Sequence, residues 1–121
     1  MKLAKEFSMT ESEFLRAADG VLTAIEAALE QPTILDAVDL ECSRSGNVLE
    51  IEFVDNGSKI IVNSQSAMRE MWVAAKSGGF HYRHDGQFWR NTRDGSELFA
   101  ALSAMVTEQG AAPVTLHDSA H

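Results

Sequence analysis

The chain has 121 residues, of which 45% are hydrophobic and 23% charged, a composition typical of one globular domain. Its 18 acidic and 10 basic side chains give a formal net charge of −8, which argues against a basic surface for nucleic acid. No run of about 18 apolar residues occurs and the first residues lack a secretory signal pattern, so we expect neither a membrane span nor a cleaved signal.

The negative charge is concentrated in one half of the chain. Residues 1–56 hold 12 acidic and 4 basic side chains, whereas residues 57–121 hold 6 of each. The single cysteine, Cys42, can form neither an internal disulfide nor a multi-cysteine metal site, and it indicates a reducing compartment.

The N-terminal half begins with a predicted amphipathic helix at residues 10–31. Thr10 and Glu13 have the spacing of a capping box, in which each side chain accepts a hydrogen bond from the other residue's amide. Pro32 ends the helix because the residue before a proline resists helical geometry. Apolar residues spaced by three and four form the buried face: Phe14, Ala18, Val21, Ile25 and Ala28.

The pattern then changes to a period of two residues, which predicts half-buried β-strands. Asn56-Gly57 is the strongest of the turn signals between them, because this pair tolerates positive φ. Five or six short strands are expected, and the candidates lie at about residues 38–43, 49–53, 58–63, 70–76, 80–84 and 88–91.

A second helix is predicted at about Ser96–Gln109, with Gly110 as its C-terminal cap. Residues 111–121 have no periodicity and are expected to be a frayed tail. Consecutive short turns imply an antiparallel sheet. The prediction is therefore an α+β fold, a two-layer α-β sandwich with two terminal helices packed on a five- to six-stranded antiparallel sheet. We expect a single domain over residues 1–121, with an ordered core at about 10–110.

Patterns typical of catalysis are absent from the sequence, and no enzymatic activity is expected. Cys42 lies on the apolar side of a predicted strand, where a thiol normally only packs. His81 and His84 fall on opposite faces of another strand, so they cannot share a metal ion. His117 and His121 lie in the predicted tail.

Acidic side chains are clustered on the outer face of the first helix and along the polar side of the first strand. If that strand lies at the sheet edge beside the helix, these residues form a continuous surface, here called the acidic ridge. Exposed carboxylates suit hard cations, which they bind weakly and release quickly. The alternative is a solvated face that only aids solubility. The acidic ridge consists of Glu11, Glu13, Asp19, Glu26, Glu30, Asp36, Asp39 and Glu41.

Trp72 is the second candidate site. Strand alternation places Trp72 on one face and Met71 and Val73 on the other. If Met71 and Val73 pack on the helices, Trp72 is exposed beside Asn63 and Gln65, an arrangement typical of an interface anchor. The opposite register would bury Trp72, and the periodicity leaves both registers open. Trp89, in the last short strand, is expected in the core.

Together these segments resemble the frataxin family in its short bacterial form. The resemblance covers about residues 10–110, and its most specific part runs from Asn56 to Tyr82. It is carried by Asp39-Leu40-Glu41-Cys42, Asn56-Gly57-Ser58-Lys59-Ile60-Ile61-Val62-Asn63, Met71-Trp72-Val73-Ala74, Lys76-Ser77-Gly78-Gly79-Phe80-His81-Tyr82 and Arg93-Asp94-Gly95-Ser96-Glu97-Leu98-Phe99.

The resemblance implies a cytoplasmic bacterial protein of iron–sulfur cluster biogenesis. It assigns exchangeable iron (Fe²⁺ or Fe³⁺), and with it other divalent cations, to the acidic ridge. The implied partners are the cysteine desulfurase and the scaffold protein, bound through the ridge and through Asn63, Gln65 and Trp72, which favours an exposed Trp72. Neither nucleic acid nor a membrane is an implied partner, and the chain is a monomer by default, with an iron-dependent oligomer as the alternative.

Four roles remain open under this resemblance. The protein is an iron donor or an iron-dependent regulator; the alternatives are a purely regulatory interaction module with incidental cation binding, and a ferroxidase. Ala27 and Gln31 interrupt the acidic residues at the end of the first helix, so a loose and exchangeable site is expected. Glu26 and Glu30 are the best remaining pair on that helix.

Overall fold

The computed structural model describes residues 7–118. Three helices and six strands follow one another in this region. They are α1 (Glu11–Leu29), α2 (Pro32–Leu35), β1 (Leu40–Ser45), β2 (Val48–Phe53), β3 (Lys59–Gln65), β4 (Glu70–Ala75), β5 (Gly78–His84), β6 (Trp89–Asn91) and α3 (Leu98–Gly110).

The six strands form one antiparallel sheet in the order β1-β2-β3-β4-β5-β6, so that each strand pairs with the next in the chain. Apolar residues of α1 and α3 share one buried cluster with alternate residues of the strands, for example Leu49, Ile51 and Tyr82. The helices therefore cover one face of the sheet, and we call the other face the open face. The predicted α-β sandwich is confirmed, and Trp89 lies in its core with 6% of its surface exposed.

The beginning and end of α1 follow from local residues. Glu13 N–H donates to Thr10 Oγ1 at 3.2 Å and Thr10 N–H donates to Glu13 Oε1 at 2.9 Å, so the predicted capping box is present. The helix ends before Pro32, as expected. Pro32 then opens the four-residue helix α2, which the sequence analysis missed; proline favours a first helical position because its φ is already helical.

The prediction that Gly110 caps the second helix is wrong. Gly110 is the last residue of α3, and Ala111 takes the left-handed conformation with φ 56°. Gly110 is needed for a different reason, because α3 passes close to the residue that leads into β1. A Cβ added at Gly110 would lie 2.7 Å from Val38 Cγ1, so only glycine fits without displacing Val38.

The predicted frayed tail is also wrong as far as residue 118. Val114 N–H donates to Thr107 Oγ1 at 3.0 Å and Leu116 N–H donates to Ser103 Oγ at 2.8 Å, so this segment is bonded to α3. The Leu116 side chain is only 3% exposed and belongs to the core. Residues 119–121, also part of the predicted tail, lie outside the described residues. Between residues 7 and 118, no helix is long and apolar enough to cross a membrane.

Candidate functional site

The first strand lies at the edge of the sheet, which is the condition that the sequence analysis set for the acidic ridge. Asp39 and Glu41, which alternate with buried Leu40, are both exposed. Glu30 and Asp36 are the C-terminal caps of α1 and α2, and both side chains are exposed as well. The carboxylates that lead from α1 into β1 are therefore all accessible from solvent.

Arg44 divides the acidic ridge in a way that the sequence analysis missed. It extends from β1 to α1, where its guanidinium donates to Glu26 Oε1 at 3.2 Å and to Thr23 Oγ1 at 2.9 Å and pairs with Asp19. Burial alone would lower the pKa of Arg44, but the hydrogen bonds to Glu26 and Asp19 raise it on balance. Asp19 and Glu26 thus share one positive charge from within the chain. Glu26, which we expected to act together with Glu30, is bonded to Arg44 instead.

Two further ridge carboxylates have local partners at the other end of α1. Glu13 belongs to the capping box described above. Glu11 Oε2 accepts a hydrogen bond from Ser66 Oγ at 3.4 Å. Among residues 7–118, the remaining ridge side chains form no ion pair and no hydrogen bond. We call them the unpaired carboxylates: Glu30, Asp36, Asp39 and Glu41.

The unpaired carboxylates are spread along the surface rather than gathered. In the part of the chain that the structure describes, no three histidine, cysteine, aspartate or glutamate side chains are placed to hold one metal ion. Exposed single carboxylates attract a hard cation through its charge and leave most of its coordination to water. This geometry suits weak and rapidly exchanging binding.

Cys42 lies on the core side of β1, as expected, and packs against the hydrophobic core. Burial, and to a smaller extent the negative charges of Glu26 and Glu30, raise the pKa of its thiol to about 11. The thiol is therefore protonated at neutral pH and is a poor metal ligand or nucleophile, which agrees with the packing role predicted for it.

The open face carries the second candidate site. Met71 and Val73 are 0% and 2% exposed, whereas Trp72 is half-buried on the opposite side of β4. Asn63 lies directly opposite Trp72 on β3, and Gln65 lies opposite Glu70. The register with Trp72 on the open face is therefore confirmed, and Asn63, Gln65 and Trp72 share that face.

Glu70 is a feature of the open face that the sequence analysis did not identify. Its side chain is 5% exposed, and its oxygens accept from Trp72 Nε1 at 2.9 Å and from Arg83 Nε at 2.9 Å, with His81 Nδ1 3.2 Å away. The His81 ring stacks on Trp72 with centroids 4.4 Å apart and planes 9° apart. Period-two alternation already places all four residues on one face once β4 and β5 are paired.

The predicted separation of His81 and His84 is confirmed. His81 stacks on Trp72 on the open face. His84 lies on the core side of β5, where its ring meets Trp89 edge-on with centroids 5.0 Å apart. The two imidazoles therefore cannot bind one ion together.

Replacing Arg44 by glutamine should strengthen binding of a divalent cation such as Mn²⁺ roughly threefold, because Asp19 and Glu26 regain uncompensated charge at the surface. Titration calorimetry at low salt measures the change. Arg16→Gln is the matched control, because this substitution removes the same charge from α1. Arg16 is exposed and forms no ion pair with Asp19 or Glu26. Equal gains in both variants would show that only net charge matters.

Comparison with known proteins gives consistent matches over most of the chain. A family model described as a frataxin-like domain matches residues 7–112. A protein of Janthinobacterium sp. (strain Marseille), the iron-sulfur cluster assembly protein CyaY, is 65% identical over 111 residues, which cover 92% of this chain and 99% of that protein.

Solved structures show the same architecture. Frataxin from Psychromonas ingrahamii is 31% identical with a TM-score of 0.78, and the match covers 88% of this chain and 97% of that one. A second structure is trimeric frataxin from the yeast Saccharomyces cerevisiae, complexed with ferrous iron. It is 22% identical with a TM-score of 0.59, and the match covers 90% of this chain and 93% of the yeast chain. The yeast structure is similar in fold.

Proposed function

This chain belongs to the frataxin family, and from that premise we propose that it is an iron–sulfur cluster assembly protein that binds exchangeable iron on the acidic ridge. The observation that carries the proposal is the set of four exposed, unpaired carboxylates where α1 leads into β1. The name of the relative that is 65% identical supports a role in cluster assembly. The lone, protonated Cys42 supports a reducing compartment, the bacterial cytoplasm.

The chemistry of the ridge favours delivery over storage. Carboxylate oxygens are hard donors, so they accept Fe²⁺, Fe³⁺ and other divalent cations with little discrimination. A ferroxidase needs several ligands converging on closely spaced irons, whereas Glu30 follows α1, Asp36 follows α2 and Glu41 lies in β1. Loose binding supports an iron donor or an iron-dependent regulator.

The proposed partners are the cysteine desulfurase and the scaffold protein of cluster assembly. The unpaired carboxylates suit a basic partner surface as well as a cation, because both respond to the same negative potential. Asn63, Gln65 and Trp72 on the open face supply a second contact with an aromatic residue at its centre. A purely regulatory module would use the same surfaces and bind cations only incidentally.

Neutralising three unpaired carboxylates (Glu30→Gln, Asp36→Asn and Asp39→Asn) should weaken Fe²⁺ binding roughly tenfold, since each exposed charge contributes about 0.5 kcal/mol. Anaerobic titration calorimetry measures the affinity. The matched control removes three acidic charges elsewhere: Glu52→Gln, Asp55→Asn and Glu108→Gln. An equal loss in the control would mean that the ridge has no special role.

Trp72→Ala should leave the fold intact and weaken desulfurase binding roughly thirtyfold, the loss typical of a central aromatic anchor. The core does not need Trp72, because the side chain packs on His81 outside the buried cluster. Surface plasmon resonance with the purified desulfurase measures binding, and circular dichroism checks the fold. Val54→Ala, an exposed apolar residue elsewhere, is the control. Unchanged affinity would remove the open face from the proposed interface.

Cluster formation with the purified desulfurase and scaffold protein, with and without this protein at several iron levels, tests the role itself. Acceleration that depends on iron supports a donor. Inhibition that grows with iron supports a regulator, and inhibition independent of iron supports the purely regulatory module. A rate that does not change under any condition would contradict the proposed function.

A further inference from the structure

Glu70 is a buried carboxylate on the open face. The other carboxylates on this face are more exposed. A carboxylate loses hydration when it is buried, and it remains charged only if hydrogen-bond donors replace the lost water. Trp72 Nε1–H and Arg83 Nε–H donate hydrogen bonds to Glu70, and His81 Nδ1 lies 3.2 Å from Glu70 Oε1. These four residues form a cluster that joins two neighbouring strands, β4 and β5.

The cluster restrains the Trp72 indole in two directions. The Nε1–H donates to Glu70 Oε1 at 2.9 Å, which sets the rotation of the ring about its side-chain bonds. His81 covers one face of the indole with nearly parallel planes, and His81 Nδ1 lies 3.2 Å from the same Glu70 oxygen. One carboxylate thus holds both rings of the stack.

This arrangement also decides what Trp72 presents to a partner. Its single N–H donor is already used within the chain, so the exposed part of the indole consists of ring carbons. A partner group that fits this surface is apolar or aromatic rather than a hydrogen-bond acceptor. A side chain that is held before binding loses less conformational freedom when a partner docks.

We propose that Glu70 is a positioning residue, which orients Trp72 so that its ring carbons form the docking contact for an apolar pocket of the desulfurase. The proposal rests on the proposed function, because it concerns the same contact. It adds the residue that prepares the contact and the chemistry of the partner group that receives Trp72.

The experiment measures indole mobility and binding in the same variants. In the unaltered protein, the Trp72 Nε1–H should exchange slowly with water, and ¹⁵N relaxation should show a rigid ring. Glu70→Ala should accelerate the exchange and weaken desulfurase binding about three- to tenfold, the range expected from ordering one side chain. Glu70→Gln retains an acceptor oxygen for Trp72. This variant should keep most of the slow Nε1–H exchange and most of the affinity for the desulfurase.

The control is Glu50→Gln, which removes a carboxylate of the open face that pairs with Lys59 and does not contact Trp72. It should change neither the indole signal nor the affinity. A rapidly exchanging Trp72 Nε1–H in the unaltered protein would overturn the proposal even if Glu70→Ala did not fold.

The outcomes also separate this proposal from the proposed function. If Glu70→Ala frees the indole and desulfurase binding stays unchanged while Trp72→Ala still weakens it, the positioning role is wrong and the docking contact stands. If Trp72→Ala also binds normally, both the positioning role and the docking contact are wrong.

Discussion

Truncating the chain after Ala111 should lower the free energy of unfolding by about 3–4 kcal/mol, although the removed segment has no regular secondary structure. The truncation exposes the apolar surface that Leu116 covers. It also removes the hydrogen bonds that Val114 and Leu116 make to the hydroxyls of Thr107 and Ser103 on α3. Chemical denaturation in urea measures the loss.

Single substitutions separate the contributions within this segment. Leu116→Ala should cost about 2–3 kcal/mol, because a buried leucine is replaced by a smaller side chain and leaves a cavity. His117→Ala is the control, since the neighbouring imidazole is exposed, and its effect should stay within about 0.5 kcal/mol. Equal stabilities of the full and truncated chains would show that the segment is not docked in solution.

Replacing Gln109 by alanine should lower the free energy of unfolding by about 2–4 kcal/mol, because several buried polar groups lose their partners together. The Gln109 side chain is 3% exposed. Its Oε1 accepts from Lys76 N–H at 2.9 Å, and its Nε2 donates to Ser58 Oγ at 3.0 Å and to Lys59 O at 3.2 Å. One amide therefore joins α3 to β3 and to the turn between β4 and β5.

Thermal unfolding should show this loss as a melting temperature lower by roughly 10 °C. Glu108→Ala is the matched control, because Glu108 is the adjacent residue of α3 and its side chain is exposed. A similar shift in both variants would assign the effect to the helix itself rather than to the Gln109 hydrogen bonds.

The elements that sequence reasoning predicted correctly are those determined by nearby residues. The capping box of α1 needs only Thr10 and Glu13. The strands follow from alternation, and turn residues such as Gly57, with φ 71°, fix the order of the hairpins. Consecutive hairpins in turn place β1 at the edge of the sheet. The edge position of β1, on which the predicted acidic ridge depends, could therefore be predicted before any contact was known.

The missed features depend on contacts between residues that are distant in sequence or on segments too short to show a period. α2 has only four residues. The segment around Leu116 is bonded to the hydroxyls of Thr107 and Ser103 on α3. An apolar pattern does not predict such bonds. Arg44 meets Asp19, 25 residues earlier in the chain, and only the packing of β1 against α1 brings them together. A basic residue at an inward-facing strand position was the available signal.

Glu70 was missed for a different reason. Alternation assigns it to the open face, where a glutamate is normally solvated. Its burial arises because Trp72, His81 and Arg83 surround it once β4 and β5 are in register. Burial on a sheet face that no helix covers depends on side-chain conformations, and these do not follow from hydrophobic periodicity.

The position of β1 at the edge of the sheet has a consequence for the colloidal behaviour of the protein. An edge strand presents backbone amide and carbonyl groups that can pair with the strand of a second molecule, and charged side chains oppose such pairing. Asp39 and Glu41 put negative charge on this edge. A bound cation that cancels this charge also weakens the edge's protection against aggregation.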